Sequence, residues 1–582
     1  MPTLNWIGKD KVVTHHNDVP FRVLDRKYTF GDAPDSGNKI IHGDNLEALK
    51  ALLPEYEGKI KCIYIDPPYN TGNEGWVYND NVNDPHIRKW LGQVVGSEMD
   101  DLTRHDKWLC MMYPRLALLQ KLLSEDGAIF ISIDDNELYS LKWICNEIFG
   151  ASCFCANISW QRTYSTRNDS KEIVSEVEHI LVYSKSPQWS PKKLPRTAAM
   201  NSKYKNPDGD YAPWRSDNAC APGAATHQGM VYAIQHPFTG EYLYPYNGAC
   251  WRYQQTQMLE YMSGWCEYEL RDLEDDSKRA EICGVPANEV RSGVCAIVLK
   301  NSLEDSRKAA EAVLKRGPWP RFFFSKNGLG GIARKTYLDS VEGVPPTNLF
   351  KFDDCGHTDE AKKELLAIFK GKAAFDTPKP TRLISHILQI AADKDSIVLD
   401  TFAGSGTTAH AILNLNKQDG GNRKFILCEM CDYAETITAE RVRRVMSGYG
   451  EGKNAVEGTG GSFDFYELGE TIFDPVSGSL NDNADTEQIR RYVWFSETNS
   501  AYVAPSEDAH PFLLGSYQHN NYYFFYIKGE ETCLDWDFLN TFTERDRAEM
   551  YIIYADRCVL TPEEMIKHNI VFKKIPRDIK RV

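Results

Sequence analysis

Short apolar runs alternate with amphipathic helical stretches in two widely separated blocks of this chain. That alternation restricts the fold to a parallel sheet covered by helices. Residues 40 to 66, IIHGDNLEALKALLPEYEGKIKCIYID, read as a strand, a turn at Gly43-Asp44, a helix carrying Leu46, Leu49 and Leu53, and a buried strand from Ile60 to Ile65. Residues 111 to 133 repeat the theme, with a helix through MMYPRLALLQKLLSEDG and a strand AIFISI. The pattern resumes late in the chain as helix ISHILQIA, strand SIVLD, helix TTAHAILNL and strand KFILCEM. Residues 1–185 and 351–460 are therefore predicted to be two halves of one doubly wound, mostly parallel α/β domain.

Between the halves the texture changes. Residues 186–350 are rich in Pro, Gly, Trp and Tyr and show little helical periodicity before EDSRKAAEAVLKR, the composition of a loop-rich inserted domain. The glycines from Gly448 to Gly461 read as a linker, and residues 471–582, with aromatic strands such as NNYYFFYI, as a small α+β appendage. A net charge of -15 argues against a protein held on nucleic acid by bulk charge alone. No apolar run is long enough to span a bilayer and the start lacks an apolar signal core, so a cytoplasmic chain is expected. The 15 cysteines are odd in number and scattered, and neither Cys153/Cys155 nor Cys428/Cys431 has the further ligands of a zinc site. Reduced thiols and no metal are the expectation.

The sharpest local signal is IDPPYNTG, directly after the strand CIYI. Two consecutive prolines cannot continue a strand ladder and fix both φ angles, so the turn is rigid and its carbonyls are free to point outward. Asp66 offers a carboxylate acceptor, Pro67 a carbonyl acceptor, Pro68 a second rigid position and Tyr69 a flat face. Two acceptors beside a stacking ring suit an exocyclic amino group with two N–H donors.

The second signal is SIVLDTFAGSGTTAHAIL, where a strand ends at Asp400, a glycine loop follows and a helix begins near Thr407. Gly404 and Gly406 let backbone approach a ligand, and a helix N-terminus favours acceptor groups. The full dinucleotide pattern is broken by Ala409 at the third glycine position, and no Walker lysine follows. The next strand ends in Cys428-Glu429, where an acidic residue is placed to bind ribose hydroxyls. Ligands of open α/β sheets sit at the carboxyl ends of strands where the order reverses, so the two motifs are expected side by side in one pocket.

DPPY followed by FAGSGTT resembles the S-adenosylmethionine-dependent amino-methyltransferases of DNA, in the motif order called beta class. HGDNLEAL, GAIFISIDDNEL, HILVYSK and FDTPKPTRLISHIL extend the likeness to the modification subunits of type III restriction systems. One departure is Thr401, where the family loop often has proline. The resemblance implies a seven-stranded-type methyltransferase sheet, a target-recognition domain at 186–350 and S-adenosylmethionine as cofactor. It implies that Asp66 and the Pro67 carbonyl bind the N6 amino group of a flipped adenine in double-stranded DNA, with Tyr69 stacked on the base. Asp400, Phe402, Ala403, Gly404, Ser405, Gly406 and Thr407 would wrap the cofactor, with Glu429 on its ribose, Asp44 at its adenine, and Thr377 and Lys379 near its methionine end. It also implies a homodimer and an ATP-dependent restriction subunit as partners.

DNA contact needs a local exception to the acidic balance. From Trp160 to Lys205 Lys and Arg outnumber Asp and Glu among aromatic residues, so Arg162, Arg167, Lys192, Lys193 and Arg196 are candidate phosphate contacts. Residues 70–106, rich in Asn, Asp and Gly, are long enough to close over an extruded base. Cytosine-N4 or RNA amino-methyl transfer, and a DNA-binding regulator that has lost activity, are the alternatives the sequence leaves open.

Overall fold

A computed structural model describes residues 3–33, 35–71, 104–164, 173–474, 477–543 and 546–580. The chain divides into two compact units, Met1–Lys192 with Pro346–Val582, and Lys193–Pro345. The first holds a ten-stranded sheet. Its strands in chain order are β1 (Arg22–Phe30), β2 (Lys39–His42), β3 (Ile60–Ile65), β4 (Leu123–Ile133), β5 (Phe154–Gln161), β6 (Val177–Ser184), β7 (Leu349–Phe350), β8 (Ile397–Asp400), β9 (Lys424–Glu429) and β10 (Phe463–Thr471). In space they run β1-β10-β2-β9-β8-β3-β4-β6-β5-β7.

Every neighbouring pair from β10 to β4 is parallel. Central strands such as IKCIYI are buried almost throughout, which is why they read as continuous apolar runs rather than alternating ones. The chain leaves β3 toward β4 on one side and leaves β8 toward β9 on the other. The winding therefore reverses between the adjacent strands β3 and β8, where a doubly wound sheet opens a crevice at its carboxyl edge. Strand β6 runs antiparallel to β4, so its first residues, Val177 and Glu178, stand at that same edge.

Helices α1 (Asn45–Tyr56), α2 (Arg104–Leu122), α3 (Leu138–Ile148), α4 (Thr381–Ala391), α5 (Thr407–Asp419) and α6 (Glu440–Ser447) belong to the same unit. Helix α1 starts where the Asp44 side chain accepts the Leu46 N–H at 2.7 Å, and it buries Leu46, Leu49, Leu52 and Leu53. Helix α4 buries Leu383, Ile384, Ile387 and Leu388, a helical apolar stripe. The strand expected from residue 128 begins instead at Leu123, because Leu123 pairs with Ile60 across a register shift before Cys62 meets Ala128.

Three expectations about boundaries change. The glycine stretch is not an open linker: Gly448–Tyr449 pairs antiparallel with Val456–Glu457, and the chain then enters the central sheet as β10 between β1 and β2. The C-terminal segment is not a separate appendage either. Its helix α7 (Thr486–Thr498) puts Ile489, Tyr492, Val493 and Phe495 into one core with Phe21, Leu49, Leu52 and Leu53. Helical periodicity announces an apolar face but not what covers it. The insertion, expected from 186 to 350, forms a unit of its own over Lys193–Pro345, because Lys192 is tied by its backbone N–H to Ile390 in the first unit.

Within the inserted unit, four-stranded and three-stranded sheets enclose a core of Trp214, Tyr232, Trp251, Trp265 and Phe322 to Phe324. The expected helix there spans Leu303–Arg316. Lys335 is fully buried and held by Asp208 and Asp210, at 2.5 Å for Asp210. Among the described residues no helix is long and apolar enough to cross a membrane.

The Tyr492 ring lies 4.5 Å from that of Phe21, joining the C-terminal helix to the N-terminal strand. Tyr492→Ala is expected to cost about 3–4 kcal/mol by leaving a cavity in the shared core. Urea unfolding monitored by tryptophan fluorescence checks this, and an unchanged midpoint would mean the C-terminal helix is only loosely attached.

Candidate active site

The proline turn is held from beneath. The Trp108 indole N–H on α2 donates to the Pro68 carbonyl at 2.6 Å, and the amide of buried Asn70, at φ 60°, donates to Glu137 at 2.5 Å and to the Arg104 carbonyl at 3.2 Å. Among the described residues no donor reaches the Pro67 carbonyl. The turn thus presents one engaged carbonyl and one open one, as two fixed φ angles allow.

Asp66 is the centre of an ionic cluster. Lys379 Nζ donates to both its oxygens at 2.7 Å and to the Tyr69 hydroxyl at 2.8 Å, while that hydroxyl reaches Asp66 at 2.9 Å and Glu178 at 3.1 Å. Glu178 Oε2 lies 3.5 Å from Lys379 Nζ, and its Oε1 accepts Arg162 at 3.1 Å. The ammonium also stands 4.9 Å from the centre of the Tyr69 ring, within cation–π range. Burial opposes charge on Lys379, but Asp66 and Glu178 outweigh it and leave the ammonium above the ordinary lysine range.

The glycine loop closes on Asp400, whose carboxylate accepts the Phe402 N–H at 3.1 Å and the Thr408 hydroxyl at 2.5 Å. Gly404 and Gly406 sit at φ +51° and +79°, and a side chain on either would crowd the Phe375 ring or the Thr438 carbonyl. Glu429 accepts the Gly404 N–H at 2.8 Å and the Cys431 N–H at 3.1 Å, so its carboxylate fixes the loop. Below, fully buried Arg441 donates to Ser405 and Thr407 at 2.9 and 2.8 Å. Burial, reinforced by Asp66 and Glu429, pushes the Asp400 carboxyl up to about 7 against the hydrogen bonds from Thr408 and Phe402.

The two motifs line one narrow cleft of about 20 Å³. Asp66, Thr377, Lys379, Asp400, Phe402, Ala403, Gly404, Ser405 and Thr407 face it, with Pro378 of the expected Thr377-Pro378-Lys379 stretch, as do Tyr64, Phe375 and Thr408, which sequence reasoning missed. Asp44, Gly406 and Glu429 stand outside that lining. Asp44 caps α1 and meets buried Arg115 at 3.3 Å, while Asn45 donates to the Thr401 carbonyl at 3.1 Å. Lys379, expected at the cofactor's methionine end, makes its hydrogen bonds to Asp66 and Tyr69 of the proline turn. Glu178 was missed because its place depends on the direction of β6.

Three of the candidate DNA residues are paired with carboxylates. Arg162 pairs with Glu178, Lys192 with Asp393, and Lys193 with Glu342 at 2.9 Å. Arg196 donates to Asn201 at 2.8 Å and lies over the Tyr204 ring. Arg167 and most of the loop expected to close over a base, residues 72–103, lie outside the described residues.

The doubly wound sheet sets an acceptor-bearing proline turn beside a glycine loop at its switch point, where folds of this class bind ligands. The chain matches the N6_N4_Mtase DNA methylase family over residues 60–440 and belongs to that family, which bears out the resemblance read from its motifs. It is similar to the StyLTI Mod subunit of a type III restriction-modification enzyme from Salmonella typhimurium, 34% identical over 440 residues, 73% of this chain and 58% of that one. It is also similar to the EcoP15I Mod subunit from Escherichia coli, 28% identical over 453 residues, 74% of this chain and 64% of that one. The EcoPI Mod subunit of Escherichia phage P1 is 29% identical over 468 residues, 73% of this chain and 62% of that one. The chain thus spans about three fifths of the length of these relatives.

A carboxyl raised from 3.8 to about 7 holds its proton more tightly folded than unfolded. Its contribution to stability is complete below about pH 4 and fades as pH rises to about 7, by about 4 kcal/mol for an isolated group. Asp400→Asn keeps the shape without this titration. Urea unfolding at pH 5 and pH 8 should show the variant gaining on the parent by a few kcal/mol at the higher pH. Parallel pH profiles for the two proteins would refute the assignment.

Proposed function

We propose that this protein is an S-adenosylmethionine-dependent DNA methyltransferase that methylates the N6 amino group of an adenine in a short, asymmetric sequence. The observation that carries the reading is the common cleft: Asp66, beside the open Pro67 carbonyl, and the Gly404 loop face one space from adjacent strand ends. An amine-holding turn needs a group-transfer donor within reach, and a glycine loop with a carboxylate-braced backbone fits a nucleoside-bearing cofactor. When bound, S-adenosylmethionine supplies an electrophilic methyl group on a sulfonium.

The protein's own work is positioning. The adenine amino nitrogen is a weak nucleophile because its lone pair is delocalised into the ring. Asp66 and the Pro67 carbonyl accept its two hydrogens and draw the lone pair out of conjugation. The Asp66 carboxylate stabilises positive charge growing on that nitrogen and accepts the proton it sheds. Tyr69 holds the base plane. Extruding the base costs roughly a few kcal/mol, which contacts to the duplex must offset.

The Lys193–Pro345 unit is assigned to target recognition, and a homodimer with an ATP-dependent restriction subunit completes the assembly. These assignments rest on similarity to Mod subunits. Of the basic candidates, Lys193 and Arg196 are the most open to phosphate, since Lys193 need only exchange an exposed partner, Glu342.

Sequencing of single DNA molecules from cells expressing the chain, with detection of modified adenine, reports base and motif together. Purified protein should transfer label from the cofactor to a duplex bearing that motif, and Asp66→Ala should lower the rate by roughly 10²–10³ or more, as for loss of a positioned charge-stabilising group. Label in cytosine or in RNA would replace the adenine reading. Wild type and variant equally inert on every nucleic acid would remove the enzymatic one.

A further inference from the structure

The cluster around Asp66 contains a conflict. The carboxylate that must accept the target amine already accepts the Lys379 ammonium on both oxygens, and the Tyr69 face that must hold the base is approached by the same ammonium. Lys379 Nζ therefore occupies the position, and makes the kind of hydrogen bonds, that an incoming exocyclic amine would need. Pro378 and Pro380 flank it, so its backbone is stiff and any displacement falls on the four-carbon side chain.

A place to go is built in. Glu178 Oε2 lies 3.5 Å from Nζ, and a shift of under about 1 Å would make that contact as short as the present pair with Asp66. Glu178 sits in the paired part of β6 opposite Trp160, and its other oxygen is held by Arg162. It is rigid where Lys379 is adjustable. Lys379, Asp66 and Glu178 are all nearly buried, at 11%, 12% and 9% side-chain exposure, so an ammonium leaving Asp66 without a new carboxylate would strand a charge.

We propose that Lys379 is a resting plug on the amine-holding turn, and that Glu178 is the positioning residue that takes its ammonium when the target base arrives. This rests on the methyltransferase reading. The lysine hydrogen-bonds both Asp66 oxygens in the empty enzyme, and the transfer to Glu178 frees an Asp66 oxygen and the Tyr69 face together. No bond is made or broken in the transfer; an ammonium exchanges one carboxylate for another.

The test is a double-mutant cycle of Glu178→Gln and Lys379→Met, read by base extrusion and by methyl transfer. Extrusion is followed by fluorescence of 2-aminopurine placed beside the target adenine, which keeps its N6 amine, in the motif duplex without cofactor. With Lys379 present, Glu178→Gln should weaken the extruded state and raise KM for the duplex about tenfold. In the Lys379→Met background the same change should have little effect, a coupling typical of groups in one network. Glu178→Asp should recover part of the loss. Equal cost of Glu178→Gln in both backgrounds would mean a purely structural role and overturn the proposal, as would no cost in either. Thermal unfolding of each variant separates loss of fold from loss of coupling. A wild type that methylates and extrudes normally while the cycle shows no coupling rejects the plug alone. A wild type that does neither rejects the methyltransferase reading.

Discussion

The pairing of β3 with β8 is the constraint on which the site depends. Val398 lies opposite Cys62 and Leu399 opposite Ile63, and each strand ends within two residues of that register, at Asp400 and Ile65. The proline turn and the glycine loop therefore leave the sheet at one level although the chain separates them widely. Both strands are covered on both faces, so their apolar runs do not by themselves set this register. Burial between the paired strands raises the Asp400 pKa, and the same pairing places Asp66 close enough to add to it.

Buried ionic clusters contribute little to stability once desolvation is counted, but removing one member is costly because the others are left uncompensated. Asp66 and Glu178 supply two negative charges against the positive charges of Lys379 and Arg162. Such a balance tolerates exchange of partners inside the cluster and resists loss of any one. The arrangement suits a site in which a neutral amine must compete for an acceptor without exposing a bare carboxylate in a low-dielectric cleft.

What was legible in the sequence was what the backbone dictates. Asp66-Pro67-Pro68-Tyr69 and the loop through Gly404 and Gly406 were readable because proline and positive-φ glycine impose geometry locally. The strand–helix alternation placed them at strand ends. Glu178 was illegible because its position follows from the antiparallel direction of β6, which no periodicity encodes. For a related reason, a count of Arg162, Lys192 and Lys193 carries no record that each has a carboxylate partner in the fold. Residues 463–470 fall between the expected linker and appendage and carry no expectation, yet with Thr471 they supply a strand inside the main sheet, since partner choice in a sheet is a tertiary property.

Arg441 sets how the start of α5 is capped. Ser405 and Thr407 flank the start of α5, and hydroxyls in such positions ordinarily satisfy the first N–H groups of a helix. Here Arg441 engages both hydroxyls from beneath, Gly406 occupies the N-cap position without a side chain, and no side-chain cap forms. A guanidinium near the positive end of a helix is unfavourable by itself, and Glu364, 3.2 Å from Arg441, offsets it. The first turn of α5 thus keeps donors for whatever enters the cleft, and the restraint that keeps them open is made by side chains on the far side of the loop. Rigidity below and unmet donors above are two aspects of one hydrogen-bond arrangement.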